Sequence, residues 1–277
     1  ASTEAILAYQ PESTSPWVTG AAFESAQSFL AGITYTVRHT AAGVDAAVEA
    51  LIVAQGEPVD DTFIYRNTAD EVSGGAGSDT LVIDYLAVLG GLNVDLNSTT
   101  NQIVQLDGFT PTGTVTGFEN IDASGLKGSF GARITGLEED SSIIIGSPKV
   151  DVIIGGSKDD TITVDNSDIV NAGDGNDTIK IDTTTIADFN DYASIDGGEG
   201  DGDILQITDA GTIADADFVS ISNIEVLDIT TDETTVILDR YATASGIRTI
   251  DSTGATLALK IVANTTLSSA AAPLVIS

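Results

Sequence analysis

Five segments of the chain bring glycine and aspartate together at a fixed spacing. Residues 74–82 read Gly74-Gly75-Ala76-Gly77-Ser78-Asp79-Thr80-Leu81-Val82, a nonapeptide of the form G-G-x-G-x-D-x-U-x with U apolar. Residues 155–163 repeat it with Lys158 in place of the third glycine, and residues 172–180 repeat it with Ala172 in place of the first. Residues 197–205 form a fourth copy with one extra residue before Asp203. A degenerate fifth copy over 146–153 places Asp151 nine residues before Asp160, and Asp168 stands nine before Asp177. Glycine permits tight turns with positive φ and close approach of backbone carbonyls. Aspartate adds a hard anionic oxygen, so carbonyls and carboxylates together make an all-oxygen shell suited to Ca²⁺.

Such turns need elements to hold them in register. Beyond Pro58 the sequence consists of short β-branched runs separated by Gly, Asp, Asn and Ser, which predicts a nearly all-β chain. Strands are expected over 80–85, 152–154, 161–165, 178–182, 203–208, 224–229, 235–239, 247–251 and 257–262. Alternation points Ile162 and Val164, Ile179 and Ile181, and Leu205 and Ile207 to one side. Thr161, Thr163, Thr178, Lys180 and Gln206 point to the other. One repeat cannot bury its own apolar face, so stacked repeats would share a core and hold ions between successive turns. The fold class expected is mainly β: a calcium-loaded parallel β-roll or β-helix solenoid over 58–277, preceded by a small N-terminal helical segment over 1–57.

These nonapeptides resemble the hemolysin-type calcium-binding repeats of the RTX family. The resemblance covers residues 74–82 and 146–205. It implies a parallel β-roll with Ca²⁺ in the turns and type I secretion into calcium-rich surroundings. Carried over position by position, it implies ligation by Asp79, Asp160, Asp177 and Asp203, with Gly75, Gly77, Gly156, Lys158 (through its carbonyl), Gly173, Gly175, Gly198 and Gly200 contributing backbone oxygens. Asp151, Asp168 and Asp201 are further candidate ligands. A second similarity lies downstream of the repeats: Phe118-Glu119-Asn120-Ile121-Asp122 is echoed by Ile224-Glu225-Val226-Leu227-Asp228, as if one module occurred twice. This layout, with Thr-, Ala- and Val-rich ladders and sparse glycine-rich turns, is similar to bacterial S-layer proteins that carry RTX repeats.

Composition bounds the remaining possibilities. The chain has 42 Asp+Glu against 10 Lys+Arg, a formal net charge of -32, which argues against nucleic acid and anionic membrane surfaces as partners. There is no cysteine, so disulfides, thiol catalysis and iron–sulfur clusters are excluded. A single histidine, His39, cannot supply a two-histidine zinc site, and no G-x-S-x-G elbow, P-loop or EF-hand loop is present. No apolar run approaches a membrane span. Up to Glu57 the chain is Ala-rich with one Asp, and helices are expected over 21–31 and 41–55, the latter with Val44, Ala47, Val48, Leu51 and Ile52 on one stripe. Trp17 reads as a buried anchor of that segment.

The expected function is a non-enzymatic, calcium-stabilised extracellular structural protein, a subunit of an S-layer, sheath or similar self-assembling surface structure. Its partners would be further copies of itself, with cell-surface polysaccharide as a second candidate. The alternative is a secreted adhesin or glycan-binding module. Between 146 and 209 the chain carries 15 acids against three lysines, so that stretch should resist compaction without cations. Acid is expected to act like chelation, because protonated carboxylates are poor ligands.

Overall fold

Where every second residue of a short run is apolar, the chain forms a strand with one buried face. Leu81 and Ile83 are buried in Thr80–Ile83, Ile179 and Ile181 in Thr178–Ile181, and Leu205 and Ile207 in Ile204–Ile207. The computed structural model describes residues 60–252 apart from 67, 166–167, 182–193 and 233. It also describes the backbone of the short strands Ala8–Tyr9, Val18–Thr19, Leu257–Ile261 and Val275–Ile276. The helices expected over 21–31 and 41–55, together with Trp17 and His39, lie outside the described residues.

Among the described residues the largest sheet has ten strands. In chain order it contains Thr62–Tyr65, Thr80–Ile83, Asn120–Asp122, Ile143–Ile145, Thr161–Thr163, Thr178–Ile181, Ile204–Ile207, Val226–Ile229, Thr249–Asp251 and Val275–Ile276, with every neighbouring pair parallel. Its register aligns Phe63, Leu81, Ile121, Ile144, Ile162, Ile179, Leu205, Leu227 and Ile250 in one buried row. A second sheet of seven strands stacks Leu92–Asp95, Ala132–Thr135, Val152–Gly156, Ile169–Gly173, Ser194–Asp196 and Ile221–Ser222 in parallel. Ile103–Leu106 closes its end antiparallel to Leu92–Asp95. The second sheet's buried row is Val94, Ile134, Ile153, Val170, Ile195 and Ile221, and both rows belong to one core.

The chain alternates between the two sheets, which makes it a mainly β, solenoid-like fold. Ile143 pairs with Thr161 and Thr161 with Thr178, so successive coils there take 18 and then 17 residues. Two nonapeptide spacings therefore make one coil. Thr62 to Thr80 is likewise 18 residues, whereas the remaining coils of the first sheet are longer and their surplus forms side structures. The antiparallel ribbon at 92–106 lies between the second and third strands of the first sheet, and small ladders pair Leu86–Ala87 with Lys127–Gly128 and Val72–Ser73 with Val115–Thr116. Towards the C-terminus a separate parallel sheet of Thr212–Ile213, Thr234–Leu238 and Leu257–Ile261 takes the place of the second.

All nine expected strands are present, with ends shifted by one or two residues. Of the second sheet, the sequence pattern predicts only 152–154. Its other strands are disguised because they run through polar or glycine-containing segments, as in Ile169–Gly173. Helix among the described residues is confined to Arg240–Ala244 and the 3₁₀ turn Asp215–Phe218. Asp215 belongs to an acidic run whose sequence suggests a solvated loop tip. Instead its carboxylate accepts hydrogen bonds from the amides of Asp239, Tyr241 and Ala242 and caps that helix from outside.

Candidate metal centre

Each nonapeptide aspartate stands one residue before a strand of the first sheet: Asp79 before Thr80, Asp160 before Thr161, Asp177 before Thr178 and Asp203 before Ile204. Parallel pairing therefore stacks these positions on one edge of the coil; at Asp160, Asp177 and Asp203 the chain there passes from the second sheet to the first, and at Asp79 it arrives from the ladder strand Val72–Ser73. All four aspartates are essentially inaccessible to solvent. Their Oδ1 atoms accept hydrogen bonds from the preceding coil. The Ser142 amide donates to Asp160 at 2.6 Å, Asp160 to Asp177 at 2.7 Å, Asp177 to Asp203 at 2.8 Å and Asp61 to Asp79 at 2.7 Å.

Glutamates continue the same column where the aspartates stop. The Asp79 amide donates to Glu119 Oε2 at 2.7 Å and the Asp203 amide to Glu225 Oε2 at 3.0 Å. This is the physical content of the Glu119 and Glu225 echo: each Glu reaches back to the coil that carries the last Asp. Asp79 is separated from Asp160 by the coils of Glu119 and Ser142, so only Asp160, Asp177 and Asp203 occupy consecutive coils.

The second oxygen of each aspartate has a different status. Oδ2 of Asp79, Asp160, Asp177 and Asp203 is buried with no hydrogen-bond partner. A buried acceptor of this kind costs free energy unless something positive lies against it. Burial is the largest effect on these groups and raises their pKa: to about 7 for Asp177, about 6 for Asp160 and Asp203, and above the usual range for Asp79. Amide donors oppose that shift, including Gly156 near Asp160, which stops short of a hydrogen bond.

The glycines are where side chains have no room. A Cβ on Gly74 would lie 2.6 Å from Asp79 Oδ2, one on Gly155 2.6 Å from Asp160 Oδ2, and one on Gly200 3.0 Å from Asp203 Oδ2. Gly156, Gly173 and Gly198 form a stack of their own. A Cβ on Gly173 would strike the Gly156 carbonyl at 2.0 Å, and one on Gly198 the Gly173 carbonyl at 1.9 Å. Gly175 closes on the Lys158 carbonyl in the same way, and Gly200 on that of Gly175. Gly75, Gly77, Gly173, Gly175 and Gly198 have positive φ. Backbone hydrogen bonds lock the stack: Asp174 donates to Gly156, Glu199 to Gly173, and Gly175 to Glu199. The predicted carbonyl donors of the last three copies are thus brought together, with Gly75 and Gly77 beside Asp79 in a turn of their own.

Asp151 and Asp168 fall on the opposite edge, where the chain returns from the first sheet to the second. There the carboxylates are buried but satisfied. Asp151 Oδ1 accepts from the Ala132 amide at 2.5 Å and the Ser147 hydroxyl at 2.7 Å, and its Oδ2 from the Ser147 amide at 2.5 Å. Asp168 accepts from the amides of Asp151 and Asp165, both at 2.9 Å. Burial raises Asp168 to about 8 and Asp151 to about 6. Asp201 is not brought to either column. It is fully exposed, and its carbonyl accepts from the Arg248 guanidinium at 2.9 Å.

Among the described residues no three His, Cys, Asp or Glu side chains converge on one point. Any ion on the glycine-rich edge would therefore be held by one or two carboxylates together with backbone carbonyls. The orphaned oxygens, the space reserved by glycine and the all-oxygen donor set fit a hard divalent cation such as Ca²⁺. No protein-family model matches the sequence, and comparison with the curated proteins and with the solved structures finds no match.

Proposed function

We propose that the chain is a calcium-stabilised, non-enzymatic structural protein of the cell exterior, of the RTX type its nonapeptides resemble, and that it assembles with copies of itself. The observation that carries the calcium part is the column of inaccessible aspartates whose Oδ2 atoms have no donor. Bound calcium supplies positive charge at those oxygens. The protein's own residues do the rest: amides of the preceding coil orient each carboxylate through Oδ1, and stacked glycines bring carbonyls within reach of the same space. With a Kd of ~10⁻⁴ M per site and calcium near ~10⁻³ M, each ion adds about 1.4 kcal/mol by mass action. Three or four such sites add roughly 4 to 6 kcal/mol, comparable with the lower range of a domain's whole stability. Calcium then decides whether the coil is populated, which suits a protein that folds after export.

Self-assembly is supported by an apolar strip on the opposite edge. Leu86, Val88, Leu89, Phe109, Phe130 and Val150 are exposed on turns that neighbour one another there. Such a strip is a surface suited to association. The test is addition of millimolar Ca²⁺ to EDTA-treated protein, followed by light scattering and electron microscopy. Ordered sheets or filaments are expected. A protein that stays monodisperse at high concentration throughout the titration would contradict assembly and favour the adhesin reading.

A further inference from the structure

We infer that cation binding is confined to one edge of the coil: Asp79, Asp160, Asp177 and Asp203 each engage an ion through Oδ2, and Asp151 and Asp168 engage none. This rests on the calcium reading above and departs from what the nonapeptide resemblance implies for Asp151 and Asp168. The two sets share residue type, spacing and burial. They differ in what their oxygens already touch.

On the glycine-rich edge, one oxygen of each carboxylate accepts an amide from the neighbouring coil and the other accepts nothing. A carboxylate oxygen sealed from both water and protein donors is the position a cation would occupy. On the opposite edge every oxygen of Asp151 and Asp168 has at least one donor. Gly146 leaves space between the two, since a Cβ there would lie 2.7 Å from Asp151 Oδ2 and 3.4 Å from Asp168 Oδ2. Yet those facing oxygens are the ones that accept the Ser147 and Asp165 amides. Hydrogen-bond donors thus take the place of the ion along this edge. The turns differ accordingly. Ser147 supplies both its amide and its hydroxyl to Asp151, a role no residue of the glycine-rich loops plays for Asp79, Asp160, Asp177 or Asp203.

The C-terminal end of the ion-binding column supports the same logic. There the position passes to Glu225, whose Oε1 lies 3.9 Å from the Arg248 guanidinium, with Asp201 Oδ1 also at 3.9 Å. A cation of the protein stands where the column of aspartates ends.

The test counts bound ions by equilibrium dialysis with radiolabelled calcium. Asp160→Asn and Asp203→Asn are expected to bind one ion fewer than the wild type, whereas Asp151→Asn and Asp168→Asn bind the wild-type number. Because an amide at 168 loses one acceptor and that variant can fail to fold, wild-type crystals grown with calcium provide a second readout. Anomalous peaks are expected beside Asp79, Asp160, Asp177 and Asp203 and absent beside Asp151 and Asp168. Loss of an ion from folded Asp168→Asn, or an anomalous peak at that edge, overturns the confinement while leaving the calcium reading intact. Wild-type protein that binds no ion at millimolar calcium overturns both.

Discussion

The two edges of the coil solve one problem in two ways. Both carry stacked, buried aspartates, and both must neutralise or satisfy them. The edge at 151 and 168 does so locally, with the Ser147 hydroxyl and the amides of Ala132, Ser147, Asp151 and Asp165. Asp107, beside the apolar strip, follows the same rule: the amides of Leu89, Gly90 and Val88 converge on it and hold its carboxyl below the usual range. The edge at 160, 177 and 203 instead gives up side chains, stacks bare glycine backbone and, with Asp79, leaves four oxygens without a donor. The lesson is that identical spacing of Asp does not make identical sites; the residues of the intervening turn decide whether both carboxylate oxygens find donors or one is left without.

The sharpest way to break this contrast is to put a side chain into the glycine stack. Gly173 has φ +111° and its Cβ would sit 2.0 Å from the Gly156 carbonyl. Gly173→Ala is expected to cost about 3 kcal/mol or more, combining a strained backbone with a contact that only main-chain movement can relieve. Urea unfolding in saturating calcium measures it; a loss below about 1 kcal/mol would mean that the coils are not stacked this closely.

Protonation separates the edges next. Without an ion, buried carboxyls with folded pKa values of about 6 to 8 hold protons that the unfolded chain, titrating near 4, has released. Stability from this source is complete below about pH 4 and is lost as pH rises through 6 to 8. In EDTA the melting temperature should therefore fall between about pH 5 and pH 8. Calcium reverses the sign on the glycine-rich edge, because the ion binds the ionised form, so the difference between calcium and EDTA should widen with pH. Acid is thus expected to act on the ion as chelation does, by protonating its ligands, while also removing the charge that an ion would balance. A melting temperature in EDTA that is flat or rises over this range would contradict the buried column.

The smallest effect serves as a control away from both edges. Asp215→Ala removes the acceptor that caps Arg240–Ala244 and is expected to cost about 1 kcal/mol. The loss should be the same in EDTA and in calcium, as read from paired thermal melts. A calcium-dependent loss would tie this helix to the ion column.

Much of this architecture is legible in the residues. Alternation in 161–164, 178–181 and 204–207 reveals the first sheet, and the nonapeptides reveal which aspartates stack. The second sheet is largely hidden: beyond 152–154, strands such as Ile169–Gly173 include residues that read as turns, and what makes them strands is pairing with the coils above and below, which a single run cannot display. Glu119 and Glu225 are visible as an echo, but their role depends on reaching one coil back. Ser147 and Asp215 give no signal, since their partners are set by the three-dimensional course of the chain. The division of the edges into satisfied and unsatisfied carboxylates is illegible for the same reason.

The most direct test of the central claim is a calcium titration of EDTA-treated wild-type protein near neutral pH, monitored by far-ultraviolet circular dichroism and thermal melting. The ion column predicts a cooperative gain of β signal as calcium approaches the millimolar range, with a melting temperature that climbs further as calcium is raised. Identical spectra and identical melts with and without calcium would mean that the four orphaned oxygens are balanced by something other than a cation, and the account would fail at its centre.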